Sequence, residues 1–562
     1  MNRRTIFWVV LSMGLVACQE TTLSSHSGSL SSACQGPVDV IPYLRPDHSC
    51  TRGAIEQKRQ LYPWIPCNRV ERVDTEEDLL ETNGQIYQWL AQEKRFDAAA
   101  TQQTLERPAL LPSSSADNPI LRGAIVRTIT GMIRSAKETV FLDIFLVGGT
   151  LGVEIARELT LAADRGVEVI ILHDTETVFA VRSESEPLWR DLRAHAQLHE
   201  KMVALRADIH QRPSAIPFGM QAVLTALLDP DKKGDVAMEG RSDHSKLLVV
   251  DGFTDQARLL VSSHNLVDSA AAYFHDEAVL VEGPAAVVSQ LLFQRDLELA
   301  RALGEQENAL SGNDLVQIDA WLRRGRVRWQ SDSLPVSPRG DTKVQALEAN
   351  GDDSVRNLEH AILALIGNAG HSVALYGRLA YNVTLAEALS NAMKRGVEVR
   401  VILDRSSPTA LKMNSILPRL LVDLGAIRRE KDAPVRWHTP LPTILFPAEK
   451  ERPPLVQEIH AKSLIVDGEW SVFGSSNFDG PSWSGGSREF SAAVADPQTA
   501  RQALSLFDRL WSSDELTAPH AAVLGQLPFG TNPLRSLGIM VLQKEADRTL
   551  SIRPSNLQPG CF

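Results

Sequence analysis

The sequence contains the pattern His-x-Lys-x4-Asp twice, at 244–251 and at 460–467, and each copy is followed by a turn of small residues that ends in Asn. Cleavage of a phosphodiester through a covalent intermediate needs one imidazole to attack phosphorus and a second to donate a proton. Lysine and amide groups can hold the phosphate oxygens. Because each copy supplies one imidazole, the duplication predicts a single shared site. Its candidate residues are His244, Lys246, Asp251, Asn265, His460, Lys462, Asp467 and Asn477.

Both copies are apolar, branched runs that end in Asp-Gly, which predicts buried strands entering turns. Side chains alternate across a strand, so each His shares a face with its Lys while the Asp points the other way. We therefore expect Asp251 and Asp467 to brace backbone rather than to carry protons. A single His in such a strand is more simply a hydrogen-bonded core residue, but the repetition of the whole pattern favours catalysis.

Two glutamates lie at matched positions, Glu277 twelve residues after Asn265 and Glu489 twelve residues after Asn477. A carboxylate can orient an imidazole through its second ring nitrogen, as in a catalytic triad. The matched spacing predicts this role for both residues. The alternative is that they are surface charges at the start of a strand.

The twin HxKxxxxD pattern with its trailing Asn resembles the phospholipase D superfamily over about residues 110–515. The second copy fits the family's GSxN turn fully. The first has ten residues between Asp251 and Ser262, and Ser262 stands where Gly is usual. The resemblance implies a covalent phosphohistidine with His244 as nucleophile and His460 as acid and base, and it implies neither a metal nor a cofactor.

The resemblance also implies an α/β fold of two tandem phospholipase D-like domains, each a mixed sheet flanked by helices, related by pseudo-two-fold symmetry. An internal repeat agrees with this. Residues 119–174 and 357–404 both read as helix, strand, helix, strand, and Arg-Gly-Val-Glu-Val occurs in both. The predicted divisions are a signal peptide at 1–17, a separate N-terminal extension at 18–105, domains at 106–310 and 311–515, and a C-terminal tail at 516–562.

The N-terminus predicts export. Two arginines precede a short apolar stretch, and the sequence Leu-Val-Ala-Cys resembles a bacterial lipobox, which implies lipidation of Cys18. Gln19 after the cysteine favours the outer membrane. A plain signal peptide or an uncleaved anchor is the alternative. The remaining cysteines, Cys34, Cys50, Cys67 and Cys561, permit two disulfides with three possible pairings.

Charge bears on the substrate. The net charge of −11 and the 6% aromatic content do not suit a basic groove with stacking aromatics, so nucleic acid is a disfavoured partner. The predicted function is a phospholipase D-type phosphodiesterase or phosphatidyltransferase that acts as a monomer on phospholipid at a membrane surface. An apolar loop at 439–447 is a candidate bilayer contact. The alternatives are a nuclease or general phosphodiesterase and a non-catalytic surface lipoprotein.

Overall fold

The computed structural model describes residues 34–44, 64–74, 121, 123–174, 202–207, 242–267, 270–271, 274–306, 312–349, 357–439, 458–484, 487–514 and 516–527. The predictions on the signal peptide, on lipidation of Cys18, on Cys50 and Cys561, on the loop after residue 439 and on the tail after residue 527 lie outside the described residues. Within them, no helix is both long and apolar enough to cross a membrane.

The strands are, in chain order, β1 (Val38–Asp39), β2 (Ile65–Asp74), β3 (Thr139–Ile144), β4 (Glu168–Asp174), β5 (Met202–Ala207), β6 (Ser242–Asp243), β7 (Lys246–Val250), β8 (Arg258–Ser262), β9 (Phe274–His275), β10 (Glu277–Glu282), β11 (Pro335–Val336), β12 (Thr342–Ala349), β13 (Ser372–Gly377), β14 (Glu398–Leu403), β15 (Val435–His438), β16 (Glu458–Ile459), β17 (Lys462–Val466), β18 (Trp470–Gly474), β19 (Ser487–Ala495) and β20 (Thr517–Pro519).

The α-helices are α1 (Ile41–Leu44), α2 (Ala124–Ser135), α3 (Gly149–Asp164), α4 (Pro284–Gln306), α5 (Gly312–Trp329), α6 (Asn357–Asn368), α7 (Val383–Lys394), α8 (Pro408–Asn414), α9 (Ile416–Asp423), α10 (Gly480–Ser484), α11 (Pro497–Ser512) and α12 (His520–Val523), with short 3-10 helices at Glu430–Asp432 and Leu524–Gln526. The order α2-β3-α3-β4 recurs as α6-β13-α7-β14, so the predicted helix–strand repeat is confirmed. A glycine at positive φ, Gly166 or Gly396, ends the second helix of each unit, as the shared Arg-Gly sequence predicts.

One large mixed sheet runs through the described part of the chain. It is centred on the antiparallel contact of β2 with β12. Outward from this contact, one side reads β10-β8-β7-β3-β4-β5 and the other reads β19-β18-β17-β13-β14-β15, with β20 at the edge. The β3, β4 and β5 strands are parallel, as are β13, β14 and β15. The predicted α/β class is thus confirmed, with the same strand order in both halves. The division into two domains at the predicted boundaries stays a prediction.

Residues 65–74 of the predicted N-terminal extension form β2, a strand of this sheet. Its residues 69–74 pair with β10, and Ile65 and Asn68 pair with β12, so β2 occupies the position in the first half that β12 occupies in the second. Its sequence, IPCNRVERVD, lacks an apolar run because one face of the strand is exposed, which hid it from pattern reading. Cys67 on this strand forms a disulfide with Cys34, one of the pairings left open by the sequence.

Apolar packing on both faces of the sheet fixes this arrangement. One core, around Phe141, Phe293 and Phe507, runs beneath α4 and α11 and joins the two halves. Two further cores lie on the opposite face, one between the sheet and α2 and α3, the other beneath α6, α7 and α9. Because the helices cover both faces, the ends of β7 and β17 that carry the two motifs are held in a rigid and mostly buried setting.

Candidate active site

Two short parallel ladders bring the motifs into one site. β6, directly before His244, pairs with the start of β19 from the second half. β16, directly before His460, pairs with β9 from the first half. Backbone hydrogen bonds extend both ladders, from His244 N to Arg488 O at 2.9 Å and from His460 N to His275 O at 3.0 Å. Each motif histidine is therefore anchored against a strand of the opposite half.

Each imidazole meets a carboxylate that the opposite half contributes. His244 Nδ1 lies 3.0 Å from both carboxylate oxygens of Glu489, and His460 Nδ1 lies 2.8 Å from Oδ1 of Asp276. All four side chains are buried. When the carboxylate is ionised, it accepts the Nδ1 proton and leaves the Nε2 lone pair free for the reaction.

Glu489 thus lies where the sequence predicted, but Glu277 does not. The Glu277 carboxylate accepts hydrogen bonds from Arg72 Nε at 2.9 Å and from the hydroxyls of Tyr376 and Ser463. Because neighbouring side chains on an extended strand point to opposite faces, only one of Asp276 and Glu277 can reach His460. The matched twelve-residue spacing pointed to Glu277, but the orienting carboxylate of the first half, Asp276, lies eleven residues after Asn265. Asp276 is the site residue that sequence reasoning missed.

A serine supports each carboxylate. Ser263 Oγ donates to Asp276 Oδ1 at 2.5 Å, and Ser475 Oγ donates to Glu489 Oε2 at 2.5 Å. The two serines hold the same position in the two Asn-terminated turns, directly after Ser262 and Gly474. A carboxylate fixed by its own hydrogen bonds holds its imidazole in one orientation, so these serines preorganise the site.

The lysines and asparagines are also buried at the site. Lys246 Nζ donates to the carbonyl oxygen of His244 at 2.7 Å, and Lys462 makes the corresponding contact with His460. The exposed fractions of Asn265 and Asn477 are only 3% and 7%. Each half thus brings a cation to its own imidazole, and each has a buried amide two residues after the serine that holds its carboxylate. A cation and an amide are groups that can hold phosphate oxygens.

The two aspartates that end the motifs hold backbone. Asp251 accepts hydrogen bonds from the amides of residues 137–139 at 2.7–3.2 Å, and Asp467 does so from residues 370–372 at 2.7–2.8 Å. Both have positive φ, 53° and 54°, a conformation that Asp tolerates better than most residues. They fasten each motif strand to the start of β3 or β13, which agrees with the predicted bracing role.

The unusual Ser262 faces a smaller residue across its strand pair than Gly474 does. Gly474 lies opposite Ser491, and a Cβ added to Gly474 would be 2.2 Å from Ser491 Oγ, 2.5 Å from Ser491 Cα and 2.6 Å from Phe490 O. In the first half, Ser262 lies opposite Ala278 instead. The second half therefore has no room for a side chain at position 474, whereas the first half holds a serine at the matching position.

Burial and the clustered cations set the charge states. Burial and then Lys246 and Lys462 hold the pKa of His244 well below its usual range. Burial and then Lys462 do the same for the pKa of His460, in spite of Asp276. Burial also lowers the pKa of Lys246 to about 8 and, with the charge of Lys246, that of Lys462 to about 7. Both imidazoles are therefore neutral near neutral pH, and an incoming anion would be attracted strongly.

The two orienting carboxylates differ in charge. Burial raises the pKa of Glu489 to about 7, against the lowering effect of Lys246. Burial would also raise the pKa of Asp276, but its contact with His460 and the charge of Lys462 outweigh this effect and the pKa is lowered. Asp276 is therefore ionised across the neutral range, whereas Glu489 titrates within it. Within the described residues, no group of three or more His, Cys, Asp or Glu side chains is arranged to hold a metal ion.

A comparison with protein families agrees with this geometry. Residues 362–511 match the family described as "Cardiolipin synthase, PLD-like domain", a range that contains the second motif and Glu489. Residues 362–511 are thus a phospholipase D-like domain. This range lies in the second half, and the first half has the same strand order and the same contacts of its motif lysine and aspartate. No curated protein matches the chain.

Solved structures give remote likenesses to this phospholipase D-like chain. Phosphatidylserine synthase of Haemophilus influenzae Rd KW20 has 15% identity, covers 75% of this chain and 92% of its own, and has a TM-score of 0.47. Nuc, a phospholipase D family member from Salmonella typhimurium, has 19% identity, covers 30% and 95%, and has a TM-score of 0.23. Polyphosphate kinase from Porphyromonas gingivalis has 13% identity, covers 76% and 54%, and has a TM-score of 0.36.

Proposed function

We propose that this protein is a phosphodiesterase or phosphatidyltransferase that cleaves phospholipids through a covalent phosphohistidine. The observation that carries the proposal is the exchange of carboxylates between the halves, by which Glu489 orients His244 and Asp276 orients His460. Two imidazoles, each with a bound carboxylate and a neighbouring lysine, supply one nucleophile and one proton donor for displacement at a single phosphate.

In the first step, Nε2 of His244 attacks phosphorus and the bond from phosphorus to the head-group oxygen breaks. His460 gives its Nε2 proton to that oxygen, so the head group leaves as an alcohol. Because burial and the lysines hold the pKa of His460 low, it carries this proton only once the anionic phosphate has entered and offset the positive charge. Lys246, Lys462 and the two asparagines would hold the non-bridging oxygens.

In the second step, His460 takes a proton from water or from an acceptor alcohol, and the resulting oxygen nucleophile attacks phosphorus. The bond from phosphorus to His244 Nε2 breaks, which releases phosphatidic acid or a new phosphatidyl ester. Transfer and hydrolysis differ only in the acceptor.

Phospholipid is the proposed substrate because the predicted lipid anchor at Cys18 would hold the enzyme against a membrane surface of the envelope, and because the acidic chain does not favour a polyanion. Phe145 and Phe274, packed on the His244 and His460 rings with centroids 4.7 Å and 5.3 Å apart, add apolar surface at the site.

The test compares the full-length protein with His244→Ala, His460→Ala and the control His371→Ala, whose side chain is exposed. Phosphatidylglycerol, phosphatidylcholine and single-stranded DNA serve as substrates. We expect lipid cleavage to fall by about 10⁴-fold or more in the two site variants and to be unchanged in the control. Cleavage of DNA alone would replace the lipid with a nuclease function, and full activity in both site variants would overturn the mechanism.

Substrates with different leaving groups distinguish the roles of the two histidines. A p-nitrophenolate leaving group needs no proton, so His460→Ala should retain far more activity on bis(p-nitrophenyl) phosphate than on phosphatidylglycerol. His244→Ala should lose both activities, and mass spectrometry should find the adduct on His244 in the wild type. The reverse pattern would exchange the two roles.

A further inference from the structure

Arg378 stands where the two halves of the site differ most. It directly follows β13, whose last residue, Gly377, is paired with Lys462. In the first half, the residue that directly follows β3 is Phe145, and the last residue of β3, Ile144, is paired with Lys246. Phe145 contacts the first His–Lys pair, with its ring 4.7 Å from that of His244 and 5.1 Å from Lys246 Nζ. The same place beside the second pair is held by a guanidinium.

The side chain of Arg378 is positioned and accessible. Its Nε lies 2.7 Å from a carboxylate oxygen of Glu458, two residues before His460, and 37% of the side chain is exposed. The ion pair uses Nε, so the edge formed by Nη1 and Nη2 is left without a partner among the described residues. That edge of a guanidinium matches the two oxygens of a carboxylate or a phosphate.

The charge of Arg378 reaches the whole site. After burial, which is the larger cause, it lowers the pKa of both catalytic histidines and both lysines. This positive charge lies next to His460, since Arg378 pairs with Glu458 two residues before it.

We propose that Arg378 is a specificity residue that binds an anionic group, a carboxylate or a phosphate, on the head group of the phospholipid substrate. The inference rests on the proposed function, in which His460 protonates the head-group oxygen, because the head group then leaves on the side of the site where Arg378 lies. Phe145 offers no such charge on the opposite side. The preferred substrates are thus phospholipids whose head group carries an anion beyond the scissile phosphate.

The experiment uses pairs of short-chain lipids that differ by one anionic group, below their critical micelle concentrations so that surface charge does not enter. Phosphatidylserine is paired with phosphatidylethanolamine for the carboxylate, and phosphatidylglycerophosphate with phosphatidylglycerol for the phosphate. We expect Arg378→Gln to lower kcat/KM by about 10- to 100-fold more for the member that carries the extra anionic group than for the other member, in at least one pair. The pair that responds identifies the anion.

Two further variants serve as controls. Arg378→Lys should restore part of the preference, because it keeps the charge but not the two-pronged contact. Arg134→Gln removes another partly exposed arginine that pairs with a buried glutamate, Glu158, on a helix of the first half, and it should leave the preference unchanged. An equal fall for both members of each pair, or no change for either, would overturn the assignment of Arg378 to the head group.

A binding experiment distinguishes a failure of this inference from a failure of the proposed function. In the His244→Ala background, glycerophosphoserine and glycerophosphoethanolamine are titrated by calorimetry with and without Arg378→Gln. If the wild type cleaves no phosphodiester but Arg378 still favours the anionic head group, then the proposed function fails and the Arg378 site stands. If cleavage occurs and neither compound pair depends on Arg378, then the proposed function stands and the Arg378 site fails.

Discussion

The His244 and His460 sites are built on the same plan, and they differ in three places. Both have a lysine bound to the histidine's own carbonyl, an aspartate that holds three backbone amides, and a serine-supported carboxylate from the other half. They differ in the carboxylate, Glu489 or Asp276, in the strand pair beneath the turn, and in the residue after the central strand, Phe145 or Arg378.

These differences show which groups the shared chemistry requires and which positions can vary. The groups that orient, charge or brace each imidazole recur at equivalent positions in both halves. The length of the carboxylate side chain varies, as does the choice between glycine and serine, which goes with the smaller Ala278 on the facing strand of the first half. Phe145 and Arg378 also differ, and Arg378 pairs with Glu458, whose counterpart two residues before His244 is Ser242. The second half thus adds an ion pair beside its His–Lys pair.

The largest expected effect comes from removing the charge of Asp276, the counterpart of Glu489. Asp276→Asn keeps the shape but removes the charge that orients His460, so we expect kcat to fall by about 10²- to 10⁴-fold with little loss of stability. Glu277→Gln weakens the buried contact with Arg72, and we expect a loss of up to about 3–5 kcal/mol in the free energy of unfolding. Its kcat, measured below the unfolding midpoint, should stay within about tenfold of the wild type.

Steady-state kinetics and thermal unfolding of the two variants measure this contrast. If Glu277→Gln reduced kcat more than Asp276→Asn, the orienting role would return to Glu277 and the register of β10 would be in error.

A smaller effect concerns the turns. Gly474→Ser places a side chain against Ser491, so we expect a loss of about 1–3 kcal/mol in the free energy of unfolding. Adding Ser491→Ala recreates the pair of Ser262 with Ala278 and removes the Oγ contact, but the contacts of the new Cβ with the backbone of Ser491 and Phe490 stay, so only part of that loss should be recovered. Denaturant unfolding of the single and double variants measures the coupling. Additive losses would show that the smaller residue on the facing strand does not explain Ser262.

The smallest effect is a shift in pH dependence. Burial lowers the pKa of Lys462 to about 7 and that of Lys246 to about 8, so the free enzyme loses a phosphate-binding charge as the pH rises through these values. The value of kcat/KM should therefore decline as the pH rises, first as Lys462 loses its proton and then as Lys246 does. Lys462→Arg keeps its charge and should move this limb upward by about one pH unit.

Lys246→Arg is the matched control and should move the limb less. The acid limb should follow Glu489, because the carboxylate must be ionised to accept the Nδ1 proton of His244 and burial raises the pKa of Glu489 to about 7. A profile of kcat/KM against pH for the three proteins tests both limbs, and equal shifts in the two variants would contradict the assigned order.

The sequence by itself determined the groups that recur: the two histidines, the two lysines, the asparagines and the bracing aspartates, together with the α/β class and the repeat of helix and strand. These could be predicted because each depends on local spacing, a strand that alternates its faces or a helix that ends at glycine. Glu489 was also found, since its neighbours in the sequence offered no second acid.

Only the tertiary structure decided the rest, because it depends on contacts between distant segments. The strand register chose Asp276 over Glu277 as the partner of His460, and a shift of one residue turns a side chain to the other face. The position of the polar strand Ile65–Asp74 is determined by its pairing with two neighbouring strands, because its sequence has no apolar pattern. Arg378 became visible only when the two halves could be compared position by position across the paired strands, since nothing in its own sequence context distinguishes it.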